Sequence, residues 1–104
     1  MELGLQLSDA RTALAEDLAV AIAAIDDPSE ARAFLGDLCT PSEIHALAER
    51  WYVARLLDQG DKTYREIHDA TGVSTTTVVR VARFLRQEAN GGYRRVLDRL
   101  RGAS

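Results

Sequence analysis

Apolar residues recur along this chain in steps of three and four, and no useful length of it alternates as a strand would, so the pattern predicts helices throughout. A first helix is expected over roughly Ser8 to Ile25, where Leu7, Leu14, Leu18, Ala21, Ile22 and Ile25 make one continuous stripe flanked by alanines. Asp27-Pro28-Ser29-Glu30 restarts the chain: Asp27 caps, Pro28 suits the first helical position and Glu30 completes a capping box. That second helix runs to about Leu38. Thr40-Pro41-Ser42-Glu43 repeats the device and opens a third helix, which ends near Gln59 with Gly60 as its stop. The repetition is one of punctuation and marks no duplicated domain. Asn90-Gly91-Gly92 breaks the chain before a last short helix from Tyr93 to Arg101.

The third helix departs from the one-faced pattern. Ile44, Leu47, Ala48, Trp51, Tyr52, Val53, Ala54, Leu56 and Leu57 occupy more than one side of it, and a helix apolar nearly all round has to be covered all round. A chain of 104 residues built from short helices has little cover to spare. A second copy supplies it most simply, so an intertwined homodimer is expected, with the first and third helices as its main interface. Trp51 and Tyr52 are read as core residues of that arrangement in preference to the lining of a ligand pocket.

Between Thr63 and Arg86 the pattern tightens into two short helices, about Tyr64 to Ala70 and Thr75 to Arg86, joined by a Thr71-Gly72-Val73 corner. This is the layout of a helix-turn-helix, whose second helix enters the major groove of DNA. Gly72 falls where the corner needs a positive φ, which glycine adopts without strain. Thr63 and Glu66 have the spacing of a capping box, and Ser74 is placed to cap the second helix. Ile67, Val73, Val78 and Val81 are the expected core of the unit. Candidate DNA contacts are Lys62 and Arg65 on the first helix and its approach. Ser74, Thr75, Thr76 and Thr77, short hydroxyls at the start of the second helix, are added to them, with Val79, Arg80 and Arg83 beyond; Arg86 is read with the arginines that suit the DNA backbone.

Charge sharpens this picture. The net balance is −3, a weak argument against a nucleic-acid partner, yet residues 1–61 hold 12 acidic and 4 basic side chains while residues 62–104 hold 4 acidic and 9 basic. The sign changes at the edge of the proposed reading unit, dividing an acidic body from a basic end. One domain is expected over 1–104: dimerisation helices over 1–61, the helix-turn-helix over 62–86 and a C-terminal helix over 87–104. Composition is that of a globular chain, 46% hydrophobic and 28% charged, with no apolar run long enough to span a bilayer. The N-terminal stretch has early acids and no basic region before an apolar core, so it does not read as a secretory signal. A reduced cytoplasmic setting, at the nucleoid when bound to DNA, is expected. Cys39 is the single cysteine, which excludes an intrachain disulfide and a cysteine metal cluster. His45 and His68 lack metal-ligand spacing, and His45 with Glu49 reads as a helix-surface pair. No phosphate loop, nucleophile elbow or paired-carboxylate arrangement is present, so neither an enzyme nor a cofactor or metal is expected.

With FLGDLCTPSEIHALAERWYVARLL preceding the helix-turn-helix, the chain from about Phe34 to Leu100 resembles the Trp repressor superfamily, and most closely its YerC/YecD-type branch. The carriers are the Leu38–Glu43 entry into a long helix, Arg50, Leu56-Leu57, and Arg65-Glu66-Ile67 through Arg80. The resemblance implies an all-α, six-helix, interlocked dimer with two reading heads that binds DNA sequence-specifically to control transcription. It places Arg65 where the family contacts a guanine edge, and Thr75, Thr76, Thr77 and Val79 on the groove side of the recognition helix. The family's two tryptophan-clamping arginines fall on Arg50 and Arg80, the candidate effector contacts. Val81 and Phe84, however, stand where the Trp repressor keeps small residues to admit the indole, so a regulator without tryptophan as corepressor is expected. The alternative is a protein-interaction dimer that keeps the fold but has lost specific DNA binding; the retained Arg65, Arg80, Arg83 and hydroxyl run favour the first reading.

Overall fold

A computed structural model describes residues 7–102, without the side chains of Leu7 and Ser8; the Leu7 side chain that opens the apolar stripe, and the first six residues of the N-terminal stretch read against a secretory signal, lie outside what is described. These form six helices and no strand: α1 Leu7–Ala23, α2 Pro28–Leu38, α3 Pro41–Gln59, α4 Tyr64–Thr71, α5 Thr75–Arg86 and α6 Gly92–Gly102. The ends differ slightly from expectation. After Ala23 the N–H of Ile25 bonds to the Ile22 carbonyl at 3.1 Å, a tighter i to i+3 closure that leaves Ile25 beyond the helix. At the other boundary α4 gains Thr71, whose hydroxyl donates to the Ile67 carbonyl at 2.7 Å.

The chain separates between Pro41 and Ser42 into two compact units. In the first, Asp27 caps α2 by accepting the Glu30 N–H at 2.8 Å, with Pro28 in the opening turn. Only this half of the expected capping box is formed. No described residue of α1 or α2 is buried, and Leu14 (71%), Val20 (68%) and Ile22 (51%) stand largely exposed in the single chain.

The second unit holds the core. Val53, Ala54, Leu56 and Leu57 of α3, Ile67 of α4, Val73 at the corner, Val78, Val81, Ala82 and Leu85 of α5 and Leu97 of α6 form one buried cluster, with Trp51 and Tyr93 packed at its edge. The two aromatic rings stack at 6.5 Å and 17°. Burial of α3 is thus confined to one end of the helix. Leu47 and Tyr52 are about half exposed, so cover on all sides, as its composition requires, is not supplied within one chain. An ionic clasp fastens α6 to the end of α3: Arg94 lies 2.9 Å from Asp58, and Arg101 pairs with the same carboxylate. Hydrogen bonds to Asp98 first and Asp58 second raise the Arg94 pKa still further above its ordinary value.

Candidate nucleic-acid interface

The corner between α4 and α5 is built from short-range hydrogen bonds that the local sequence dictates. Thr63 accepts the Glu66 N–H at 3.1 Å while Glu66 accepts the Thr63 N–H at 2.8 Å, a complete capping box. The backbone and side-chain bonds to Thr63 hold the Glu66 carboxyl below its usual pKa. At the far end Gly72 adopts φ 77°, and its N–H closes on the His68 carbonyl. Thr71 Oγ1 then accepts the Val73 N–H at 3.0 Å, and His68 Nδ1 donates to the Val73 carbonyl at 2.7 Å. His68 is half-buried and braces the corner.

Capping by Ser74 aims α5. Its hydroxyl oxygen accepts the Thr77 N–H at 3.1 Å and donates to Thr77 Oγ1 at 3.0 Å. Val78, Val81, Ala82 and Leu85 then point into the core, which leaves Thr75, Thr76, Val79, Arg80 and Arg83 on the opposite, exposed side. The last five recur at i, i+1, i+4, i+5 and i+8, a single helical face. Thr77 is displaced from it: half-buried, with its hydroxyl engaged by the cap. Ser74 is exposed and likewise occupied with capping. Lys62 and Arg65 are exposed beside α4, the latter with 82% of its side chain open to solvent.

Arg86 does not join them. Its Nη1 donates to the Tyr64 hydroxyl and its Nη2 to the Leu57 carbonyl, both at 3.3 Å, so it ties α5 to the start of α4 and the end of α3. Spacing does not separate it from the others: residue 86 is seven beyond Val79, on the exposed side of α5. The other ionic partners are close by. Lys62 sits 3.5 Å from Asp61, Arg65 4.0 Å from Asp69 and Arg83 2.6 Å from Glu88. Arg80 instead lies over the Phe84 ring, its guanidinium carbon 4.5 Å from the centroid, and Val81 is buried beside it in sequence. Arg50 is half-buried on α3. Away from this unit, His45 and Glu49 form the expected i, i+4 surface pair at 3.3 Å.

Such an arrangement presents hydroxyls, a valine and cations on one rigid helix face, with the suitable chemistry for base edges and phosphates. Comparison with known proteins gives the same direction. The family model described as Trp repressor protein matches residues 13–101, reaching further toward the N-terminus than the motifs alone. An uncharacterized protein YerC of Bacillus subtilis (strain 168) is 39% identical over 97 residues, spanning 93% of this chain and 91% of its own. Two crystal structures share the fold. A TrpR-like protein from Eubacterium eligens ATCC 27750 has 44% identity and a TM-score of 0.72 over 82% of this chain and 86% of its own. A candidate Trp repressor from Staphylococcus aureus has 37% identity and a TM-score of 0.78 over 94% and 96%.

Proposed function

The chain belongs to the Trp repressor family, a family of DNA-binding regulators and not of enzymes, and from that premise we propose that it is a sequence-specific transcriptional repressor acting as a homodimer without tryptophan as corepressor. The observation that carries this reading is the exposed face of α5: Thr75, Thr76, Val79, Arg80 and Arg83 are held outward by four core residues behind them. Arg65 reads a guanine edge, the threonines and Val79 meet bases directly or through water, and Lys62, Ser74 and Arg83 meet the phosphate backbone. Arg80 serves the same interface from its place on Phe84. Residues 1–61 contribute dimerisation helices, residues 62–86 the reading head and residues 87–104 a supporting helix.

Two features support the finer points. Apolar α1 and the exposed side of α3 have no cover in one chain, which suits pairing with a second. Two heads related by a dyad then read half-sites about 34 Å apart in a pseudo-palindromic operator. Phe84 stacks under Arg80, and a ring already on that arginine supports heads that need no free tryptophan. No helix among the described residues is long and apolar enough to cross a membrane; binding to DNA is what would take the protein to the nucleoid in the cytoplasm.

The test is selection of genomic fragments by the purified protein, followed by gel shifts of an enriched fragment and a shuffled control in low and physiological salt. Enrichment of a two-fold symmetric sequence supports the reading. Equal, salt-labile binding to both fragments overturns it.

A further inference from the structure

Three cations offered to DNA already have a carboxylate of their own chain beside them. The pairs are Lys62 with Asp61, Arg65 with Asp69 and Arg83 with Glu88, and the last is the shortest at 2.6 Å. Its geometry is set by the way α5 ends. The N–H groups of Gln87 and Glu88 both bond to the Arg83 carbonyl, at 2.8 and 3.1 Å, which brings Glu88 back beside the arginine it follows. Glu88 is half-buried there while Arg83 stays exposed. Residues 61–88 consequently hold 5 Lys or Arg against 4 Asp or Glu, a nearly neutral head within the basic part of the chain. A carboxylate hydrogen-bonded to a guanidinium, as Glu88 is to Arg83, occupies the same donors that a phosphate requires, and one lying near, as Asp69 does to Arg65, competes by charge.

We propose that Glu88 and Asp69 are internal competitors of the nucleic acid, which set how strongly the head discriminates its operator from bulk DNA. The proposal rests on the DNA-reading assignment above. Arg83 meets a phosphate on any duplex, so Glu88 has to be displaced on every sequence and lowers affinity uniformly. Arg65 differs, because a guanine edge offers two bonds in exchange for Asp69. On other sequences Arg65 stays with Asp69, so Asp69 lowers affinity at the operator, where it is displaced, and leaves bulk DNA untouched.

Glu88→Gln, Asp69→Asn and Arg83→Ala in the full chain, with the Arg83→Ala/Glu88→Gln double variant, test this by binding to a random-sequence duplex and to an enriched genomic fragment. Glu88→Gln is expected to tighten both by a similar factor, roughly fivefold at low salt, as for an exposed ion pair. The gain fades as salt rises, since the Debye length falls from about 10 Å at 0.1 M to about 3 Å at 1 M. Asp69→Asn is expected to tighten the enriched fragment more than the random duplex. In the Arg83→Ala background the Glu88→Gln gain disappears, the mark of a direct coupling between the two. A gain that survives there, or none in either background, overturns the competition while leaving DNA reading intact. Absence of binding by every form to every duplex overturns both.

Discussion

Gly72 concentrates the demands of the corner in one dihedral. At φ 77° it supports a conformation that costs any L-residue with a Cβ about 1–2 kcal/mol, and no atom lies within 4 Å of where that Cβ would go. Gly72→Ala should therefore lose about that much stability in denaturant unfolding through backbone strain alone; a neutral substitution would mean that the corner relaxes. In the proposed interface Arg65 and Arg83 make two kinds of contact. Arg65→Ala is expected to cost about 1–3 kcal/mol at the operator and to relax preference at one base pair per half-site. Arg83→Ala should weaken all sequences alike and flatten the salt dependence. Equal losses on cognate and random DNA for Arg65→Ala would refute its assignment. Phe84 carries the effector question. With its ring against Arg80, calorimetry with L-tryptophan should give no saturable binding and no change in operator affinity. Binding that strengthens the complex tenfold, about 1.4 kcal/mol, would show the slot to be open.

The helices differ in how far they were legible in the sequence, and distance along the chain explains why. α4 and α5 begin with caps that span three residues, Thr63 to Glu66 and Ser74 to Thr77, so residue type at fixed spacing suffices to locate them. The ties between helices are different. Arg86 reaches Tyr64 and Leu57 across 22 and 29 positions, and Arg101 reaches Asp58 across 43. No local pattern names those partners; only packing brings them together. Exposed arginines near a predicted reading helix all look alike from the sequence, which is why Arg86 was grouped with Arg83. Two expectations follow at this scale. Glu66 has a depressed folded pKa, so its share of the stability of α4 is full above its ordinary carboxylate range and is lost as pH falls through the lowered value. The protection of amides at the start of α4, relative to their intrinsic exchange at each pH, should fall on acidification in the wild type and stay flat in Glu66→Gln. Asp58→Asn removes the anion shared by Arg94 and Arg101. Faster exchange confined to α6 is expected, whereas unchanged protection would make the clasp incidental.

For the whole molecule the dominant fact is the unequal distribution of apolar cover. The buried cluster draws on residues from Val53 to Leu97, while α1 shows Leu14, Val20 and Ile22 to solvent in the single chain. The proposed homodimer resolves this, and it makes apparent stability rise with protein concentration. Trp51→Asp should abolish folding or leave an aggregate, because it removes a ring packed against the core and Tyr93 and, in the proposed dimer, puts an unpaired carboxylate under cover, which costs several kcal/mol. A well-folded monomer of the wild type at micromolar concentration in analytical ultracentrifugation would remove the dimer from the account. The helical pattern and the excess of apolar surface on α3 were legible from sequence, since both are properties of one segment. Which end of α3 is covered within the chain was not, since that depends on where α5 and α6 return. The same placement of the core has a consequence for biosynthesis. Chains emerge from the ribosome N-terminus first, so the segment with unmet apolar surface appears early and the cluster that can close by itself is completed only once Leu97 is out. Until then the nascent chain offers α1 to whatever is near, whether a chaperone or the same helix on a sibling chain being translated from the same message.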